Sequence, residues 1–507
     1  MMCKFSSRNF GSANFRLHLI IIKHCFCWAD HYLSSMSTDI SVPKKIVPRK
    51  LTDLLFVLLG AVVLCSHAFY NGFPLVYPDT GTYISACFEH FLPRDRPLVY
   101  SFFIRHISLA TSLWIPVFVQ STFVSWLVLL LFRHVAQRSK PYLLHILTLV
   151  LLSLTTGIAV NTGQLIADVF TPIVLLTSAL LLFVPELSRV TKIALAALFV
   201  FAVTTHLSHL PMTLGIVVWA LVASFIFRKK PTSAFNFFRS LKFLLLLPLA
   251  VLFVCILNYS VAGKWQFRAD AQHVFMMNRL VQCGIMDDYL NVNCASHPVS
   301  LCKYQSTFHT MDFLWDSKSA INDYYGWNNW DKAKSEYDSI IHDVFSQGKY
   351  VRSFFYHSWT DGCRQLVSFK TGITPKLTES DAIYTSMHWH FPNELESYTH
   401  SKQNTTGLDY STLNIIQTIF ISICTVPFFL LLLLPRFSKL LTARMRAFAW
   451  LVIFGMLFNA FTVVTFAMLD DRYQARLIWL VPLLLIVFLS NEKILQSLRK
   501  WQVTRDR

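Results

Sequence analysis

Long runs of apolar side chains recur at 51–70, 113–132, 142–160, 165–184, 193–210, 212–227, 243–259, 413–434, 447–469 and 477–490. A helix that crosses the hydrocarbon core of a bilayer needs about 20 such residues. Inside lipid, only helices and closed barrels satisfy every backbone donor and acceptor. The runs therefore predict an all-α polytopic membrane protein with about ten transmembrane helices. Composition agrees: 54% of residues are hydrophobic and only 14% are charged, against about 25% charged in a soluble domain.

The formal net charge is +17, and its distribution gives the topology. "VPKKIVPRK" precedes the first run, "FRHVAQRSK" follows the second and "ELSRVTK" the fourth. "FRKKPTSAFNFFRSLK" follows the sixth run, "PRFSKLLTARMR" the eighth and "NEKILQSLRKWQVTRDR" the tenth. With ten spans all these basic stretches fall on one side, which the positive-inside bias assigns to the cytoplasm. Both termini are then cytoplasmic, and the charge reports orientation, not a nucleic-acid partner. "LHLIII" at 17–22 is too short to span, and no small-residue cleavage site follows it. No signal peptide is expected there, and Met36 is an alternative start. The expected division is a cytoplasmic segment (1–50), a membrane part of about seven helices (51–259) with an outer loop at 71–112, and an extracytoplasmic domain (260–410). A further membrane part of about three helices (411–490) and a cytoplasmic tail (491–507) complete it.

Segment 260–410 lies between the seventh and eighth runs and carries most of the acidic residues. It is rich in aromatics, as in "DYYGWNNWDKAKSEYDSIIHDVF", which is not the composition of a disordered linker. An α-rich domain is expected there, either standing free or packed down on the membrane part. Four of the eleven cysteines fall in it: Cys283, Cys294, Cys302 and Cys363. An oxidising compartment permits disulfides among them. Cys294 and Cys302 are nearest in sequence, and Cys283 with Cys363 would complete a set, although four cysteines allow three pairings. No C-x-x-C spacing is present, so no metal site is expected from them.

The first outer loop opens with "FPLVYPDTGTYISA". Asp79 there has two compatible readings: the N-cap of a helix starting near Thr80, or a general base whose low-dielectric surroundings raise its pKa so that it accepts a proton from a substrate hydroxyl. "PRDRP" follows, with Arg94, Asp95 and Arg96, and either closes a solvated turn or presents two guanidinium groups to a phosphate. Residues 98–110, interrupted by Arg105 and His106, read as a helix lying along the outer leaflet. "DDRYQAR" at 470–476 puts Asp470, Asp471, Arg472 and Arg476 at the same face, between two spans, the tenth of which is short unless it begins near Tyr473. Charges at that depth are paired or in use. Asp168 sits a few residues inside the fourth run and is a candidate for the same reason. His206 and His209 share one helix face and read as hydrogen-bonded interfacial residues more readily than as metal ligands. No P-loop, G-x-G-x-x-G, G-x-S-x-G or H-E-x-x-H motif occurs, which speaks against nucleotide-driven transport and serine or zinc hydrolysis. No internal repeat of the transporter kind is visible.

"DTGTY", with Asp79 and Tyr83, resembles the acidic D-E-x-x-Y element after the first membrane helix of GT-C integral-membrane glycosyltransferases. Protein mannosyltransferases and lipid A aminoarabinose transferases are members of that class. "RPLVY", Arg96 to Tyr100, is similar to a PPLYY-like element of the class. An extracytoplasmic domain and a late membrane-edge arginine also fit. The chain further resembles uncharacterised bacterial multi-pass proteins with "PDSGSY"-like and "RYQSR"-like elements. The resemblance implies a bacterial inner-membrane enzyme that moves a sugar from a polyprenyl-phosphate carrier to a glycan, lipid or protein acceptor on the outer face, among membrane lipids. It implies Asp79 as the catalytic base or donor-orienting group. Tyr83, Asp95, Arg96, Tyr100, Asp471, Arg472 and Arg476 would bind substrate. Some members use Mg2+ or Mn2+, but Thr80 replaces the second acid here, which argues against a tight metal site. The alternatives are a transporter or flippase for a lipid-linked or anionic solute, and a non-catalytic assembly or polymer-export protein.

Overall fold

Apolar runs form helices because each helix satisfies its own backbone, even where Pro427 or Gly455 lies inside one, and the regular secondary structure of the described residues is helical. The computed structural model describes residues 49–496 apart from 228–233, 269, 306, 309–311, 328 and 373–380. The expectations for "LHLIII", for Met36 and for most of the two terminal segments lie outside the described residues. The chain divides into two units, 1–52 and 53–507, and only 49–52 of the first are described. Among the described residues there is no strand; the extended contact is an isolated parallel bridge between Leu75 and Gln164.

Among the described residues, six helices are long and apolar enough to cross a membrane: Trp114–His134, His209–Ile226, Phe237–Ala262, Ser411–Leu433, Ala443–Phe466 and Arg472–Leu489. The remaining apolar runs form shorter or broken helices. The first run is Arg49–Leu64 followed, after a break at Cys65, by Ser66–Asn71. The third is Tyr142–Thr155, ended by extended backbone at Thr156. The fourth begins as a 3-10 turn, Ala167–Val169, and continues as Phe170–Phe183. The fifth is Arg189–Thr204, and His209 opens the next helix where it was expected to close this one.

The last run differs most from its expectation. "RYQAR" was expected between two spans, yet it forms the first turns of Arg472–Leu489. That helix is the most enclosed of the six, with 83% of its span buried in the protein against 28% for Ser411–Leu433. Arg472 and Arg476 therefore enter the bundle on a central helix.

Segment 260–410 is α-rich, as expected. Leu280, Leu290, Leu301, Ile321 and Tyr337 form a core among helices Gln272–Gln282, Ile285–Asn293, Ala320–Tyr325 and Trp330–Ser346. It is packed down on the membrane helices, because 53–507 is a single unit. Helix Gly348–Val367 lies against Ala443–Phe466, with Trp359 on Phe461. The Gln365 amide donates to the Asp470 carbonyl (2.7 Å) and accepts from the Asp470 N–H (3.0 Å). Cys294 and Cys302 form a disulfide. Cys283 and Cys363 are free thiols, the first buried and the second exposed, so the second expected pair does not form.

Two late helices, Ala382–His390 and Pro392–Thr399, clamp the first outer loop. The Leu113 N–H donates to the Glu394 carboxylate (2.9 Å) at the start of Trp114–His134. Gly81 faces the backbone of Ala382 and Ile383, where a Cβ would stand 2.7–2.8 Å from main-chain atoms. Backbone cannot swing aside as a side-chain tip can. Gly81→Val is expected to cost about 1–3 kcal/mol, read as a lower apparent unfolding temperature in detergent; a variant as stable as the wild type would contradict this contact.

Candidate functional site

Polar pins within the apolar bundle bring the first outer loop to the fourth run. The Leu75 N–H donates to the Gly163 carbonyl (2.9 Å), and the Leu165 N–H to the Leu75 carbonyl (2.8 Å). Gln403 accepts from the Val76 N–H and donates to the Val76 carbonyl. Gln120 donates to the carbonyls of Thr162 and Gln164, both at 2.8 Å, and accepts from the Tyr100 hydroxyl at 3.0 Å. Thr80, the residue in place of a second acid, is another pin. Its hydroxyl accepts from the Tyr77 N–H (2.9 Å) and donates to the Leu165 carbonyl (2.8 Å).

These contacts place Asp79 beside Asp168 with three arginines around them. Arg96 Nη1 lies 3.1 Å from Asp79 Oδ1, and Arg96 also pairs with Asp95. Arg472 spans the two acids, with Nη1 3.4 Å from Asp79 Oδ2 and Nε 3.3 Å from Asp168 Oδ2. Arg476 Nη1 lies 2.5 Å from Asp168 Oδ1, and its Nη2 donates to Asn459 Oδ1 at 2.8 Å. The result is an alternating row, Asp95–Arg96–Asp79–Arg472–Asp168–Arg476, with three charges of each sign. Side-chain exposure is 10% at Arg96, peaks at 25% at Asp79 and falls through 18% at Arg472 to 0% at Arg476. Asp79, third in the row, is thus its most accessible member.

Asp79 does precede helix Thr80–Phe88, but its side chain makes no capping bond and its backbone is already helical. The expected cap role is not performed; the carboxylate goes to Arg96 and Arg472 instead. Burial alone would raise its pKa. The two guanidinium groups overcome that and hold the carboxyl below its ordinary value. Burial pushes the Tyr77 hydroxyl up to about 12, against the opposing pull of Arg472, whose guanidinium lies 4.5 Å from the Tyr77 ring centre.

Tyr83 is buried, with its ring 5.2 Å from the Arg96 guanidinium and edge-on to Tyr100 at 4.8 Å. Tyr83 and Tyr100 therefore support the arginine from below. Arg94 leaves the group and pairs with Asp331 at 2.9 Å. Asp470 accepts from the Arg472 N–H. Asp471 precedes the final helix without a side-chain cap and lies outside the row. Arg105 donates to the Cys87 carbonyl. His209 exchanges hydrogen bonds with Thr171 and the Ala202 carbonyl, and His206 with Ser208. Among the described residues no group of three or more His, Cys, Asp or Glu side chains is placed to hold a metal ion.

Gln120, Asn459 and Gln403 complete the site and were not singled out from sequence. Gln120 and Asn459 did carry a signal, since each is an amide inside a long apolar run, where polar groups cost free energy unless bonded. No family model, curated protein or solved structure matches the chain.

Removing one member of a buried pair leaves an uncompensated charge, at about 3–5 kcal/mol. Asp168→Asn is therefore expected to lower the unfolding temperature strongly, and adding Arg476→Gln should restore part of the loss. Additive losses in that double-mutant cycle would contradict direct coupling. Because the folded-state pKa of Asp79 is depressed, its pairs contribute fully above the ordinary value of 3.8 and are lost as pH falls through the folded value. Stability measured against pH should show no inflection from Asp79 between about pH 5 and 8, and Asp79→Asn should flatten only the acid limb.

Proposed function

We propose that the protein is a GT-C-like glycosyltransferase that moves a sugar from a polyprenyl-phosphate carrier to an acceptor on the outer face of a bacterial inner membrane. The observation that carries this reading is the most accessible point of the charge row: Asp79, a quarter exposed, held between Arg96 and Arg472. Such an arrangement offers donors to a phosphate leaving group, and guanidinium groups suit phosphate geometry. Charge that develops on the departing phosphate would be stabilised there.

In the resting site Asp79 is a weak base, since two cations hold it ionised. A donor phosphate that engages Arg96 and Arg472 would weaken those pairs and raise the proton affinity of the carboxylate. Asp79 then orients the donor first and accepts the acceptor hydroxyl proton second. The shorter apolar helices complete ten crossings in this reading, with the basic stretches and both termini in the cytoplasm. Some GT-C enzymes need Mg2+ or Mn2+; with Thr80 bonded to backbone, Asp79 and Asp168 are the acids near the position and both face arginines.

A second reading draws on the same row. Three acids and three bases that neutralise one another suit a brace between membrane segments, as a non-catalytic assembly protein would need. The mass profile of envelope glycans and lipids, taken from intact cells with and without the protein, separates the two. Loss of a sugar-sized increment, reproduced by a normally inserted Asp79→Asn variant with about a 100-fold or greater drop in product, is the expected outcome. Full product formation by that variant would sink the base role, and an unchanged profile on deletion would favour the brace.

A further inference from the structure

A second polar feature lies at the opposite end of the membrane helices. A cleft of about 360 Å³ opens there, with Phe183, Phe235, Asn236, Arg239, Thr442 and Arg444 among its lining. Thr442 and Arg444 stand at the start of Ala443–Phe466, whereas Asp470 and Arg472 follow its end. A helix of 24 residues is about 36 Å long, so the two sites are a membrane thickness apart. The volume falls within the range of small-ligand pockets.

The charged residues among the described lining of this cleft, Arg239 and Arg444, are both cations. Asn236 caps helix Phe237–Leu244 by accepting from the Arg239 N–H (2.9 Å). Thr442 caps Ala443–Phe466 by accepting from the Met445 N–H (3.2 Å). Two helix N-termini therefore meet at the cleft, each equivalent to about half a positive charge. Two arginine side chains, Arg239 and Arg444, line the cleft beside them. Arg239 is anchored by donating to the Leu182 carbonyl at 2.7 Å. Arg444 is anchored by the His134 carbonyl at 3.0 Å and by Glu186. Of the five donors on each guanidinium, these bonds occupy one on Arg239 and two on Arg444 among the described residues. The Glu186 carboxylate neutralises one of the two cations and is itself 59% exposed. Phe183 and Phe235 meet edge to face at 5.4 Å and give the cleft one apolar wall.

We propose that this cleft binds a phosphate group, presented either by an anionic lipid headgroup or by a small soluble phosphate. A phosphate seated in the cleft would meet guanidinium groups along its lining, and bidentate hydrogen bonding favours arginine for that task. The aromatic wall accommodates the carbon-bearing part of the ligand. The proposal does not depend on the glycosyltransferase reading, because it uses neither Asp79 nor the outer-face arginines.

The test uses the full chain purified in detergent. Native mass spectrometry measures retention of phosphatidylglycerol and of phosphatidylcholine, and a thermal-shift assay measures protection by inorganic phosphate. Wild-type protein is expected to retain phosphatidylglycerol in preference to phosphatidylcholine, or to be protected by phosphate. Arg239→Gln with Arg444→Gln should weaken whichever response is seen by about tenfold or more, as expected when charge-assisted bonds are removed. A response to phosphatidylglycerol alone identifies a lipid headgroup as the source; protection by inorganic phosphate identifies a soluble anion. Glu186→Gln keeps both arginines and removes their competitor, so it should tighten binding; it also serves if the double variant does not fold. A wild type that shows neither a preference for phosphatidylglycerol nor protection by phosphate, or a response that is the same in wild type, the double variant and Glu186→Gln, overturns the proposal.

Discussion

A carboxylate enclosed among apolar helices has to meet a cation, and Asp168 meets two. Its side chain is 3% exposed and that of Arg476 is not exposed at all, so neither could stay charged there alone without a penalty of several kcal/mol. Asn459 and Ser208 bond to the same guanidinium. Through Arg472 the pair reaches Asp79 in the first outer loop, and through Arg96 it reaches Asp95. Three segments far apart in the chain, the first outer loop with Asp79 and Asp95, the start of the fourth run at Asp168 and the helix start at 472–476, are thereby tied together.

The charges could not find one another without the neutral contacts around them. Gln120 bonds two carbonyls of the 162–164 turn, and Thr80 ties its own loop to Leu165. Gln403 holds Val76 from the far side of the 260–410 segment. Each of these amides and hydroxyls satisfies backbone groups that no regular helix covers, which is what permits irregular backbone within the enclosed part of the protein. The outer segment is therefore part of the site's frame. Its contact with the first loop is close enough that Gly81 has no room for a side chain.

The two ends of the molecule carry different electrostatics. At the Asp79 end acids and bases alternate and cancel. At the Arg239 and Arg444 end, helix N-termini and guanidinium groups add, with Glu186 opposing them. A neutral row holds itself together and exposes one carboxylate. An unbalanced cleft favours an anion from outside. The same residue type, arginine, serves both because its partners differ.

Much of this was legible in the chain. Apolar run length sufficed for an all-α membrane protein, since a bilayer imposes helices on any sequence that greasy. Asp79, Arg96, Asp168, Arg472 and Arg476 stood out as charges beside or within such runs, where they must be paired or used. The tertiary structure alone decided their partners. Asp79 turned from its cap position to two arginines, "RYQAR" joined the central helix instead of lying between two spans, Arg94 left for Asp331, and Cys283 and Cys363 stayed apart. Run composition is a local property and survives without knowledge of neighbours. An ion pair between residues 393 positions apart, such as Asp79 with Arg472, depends on how helices pack, and packing is written in contacts that no single stretch of sequence contains.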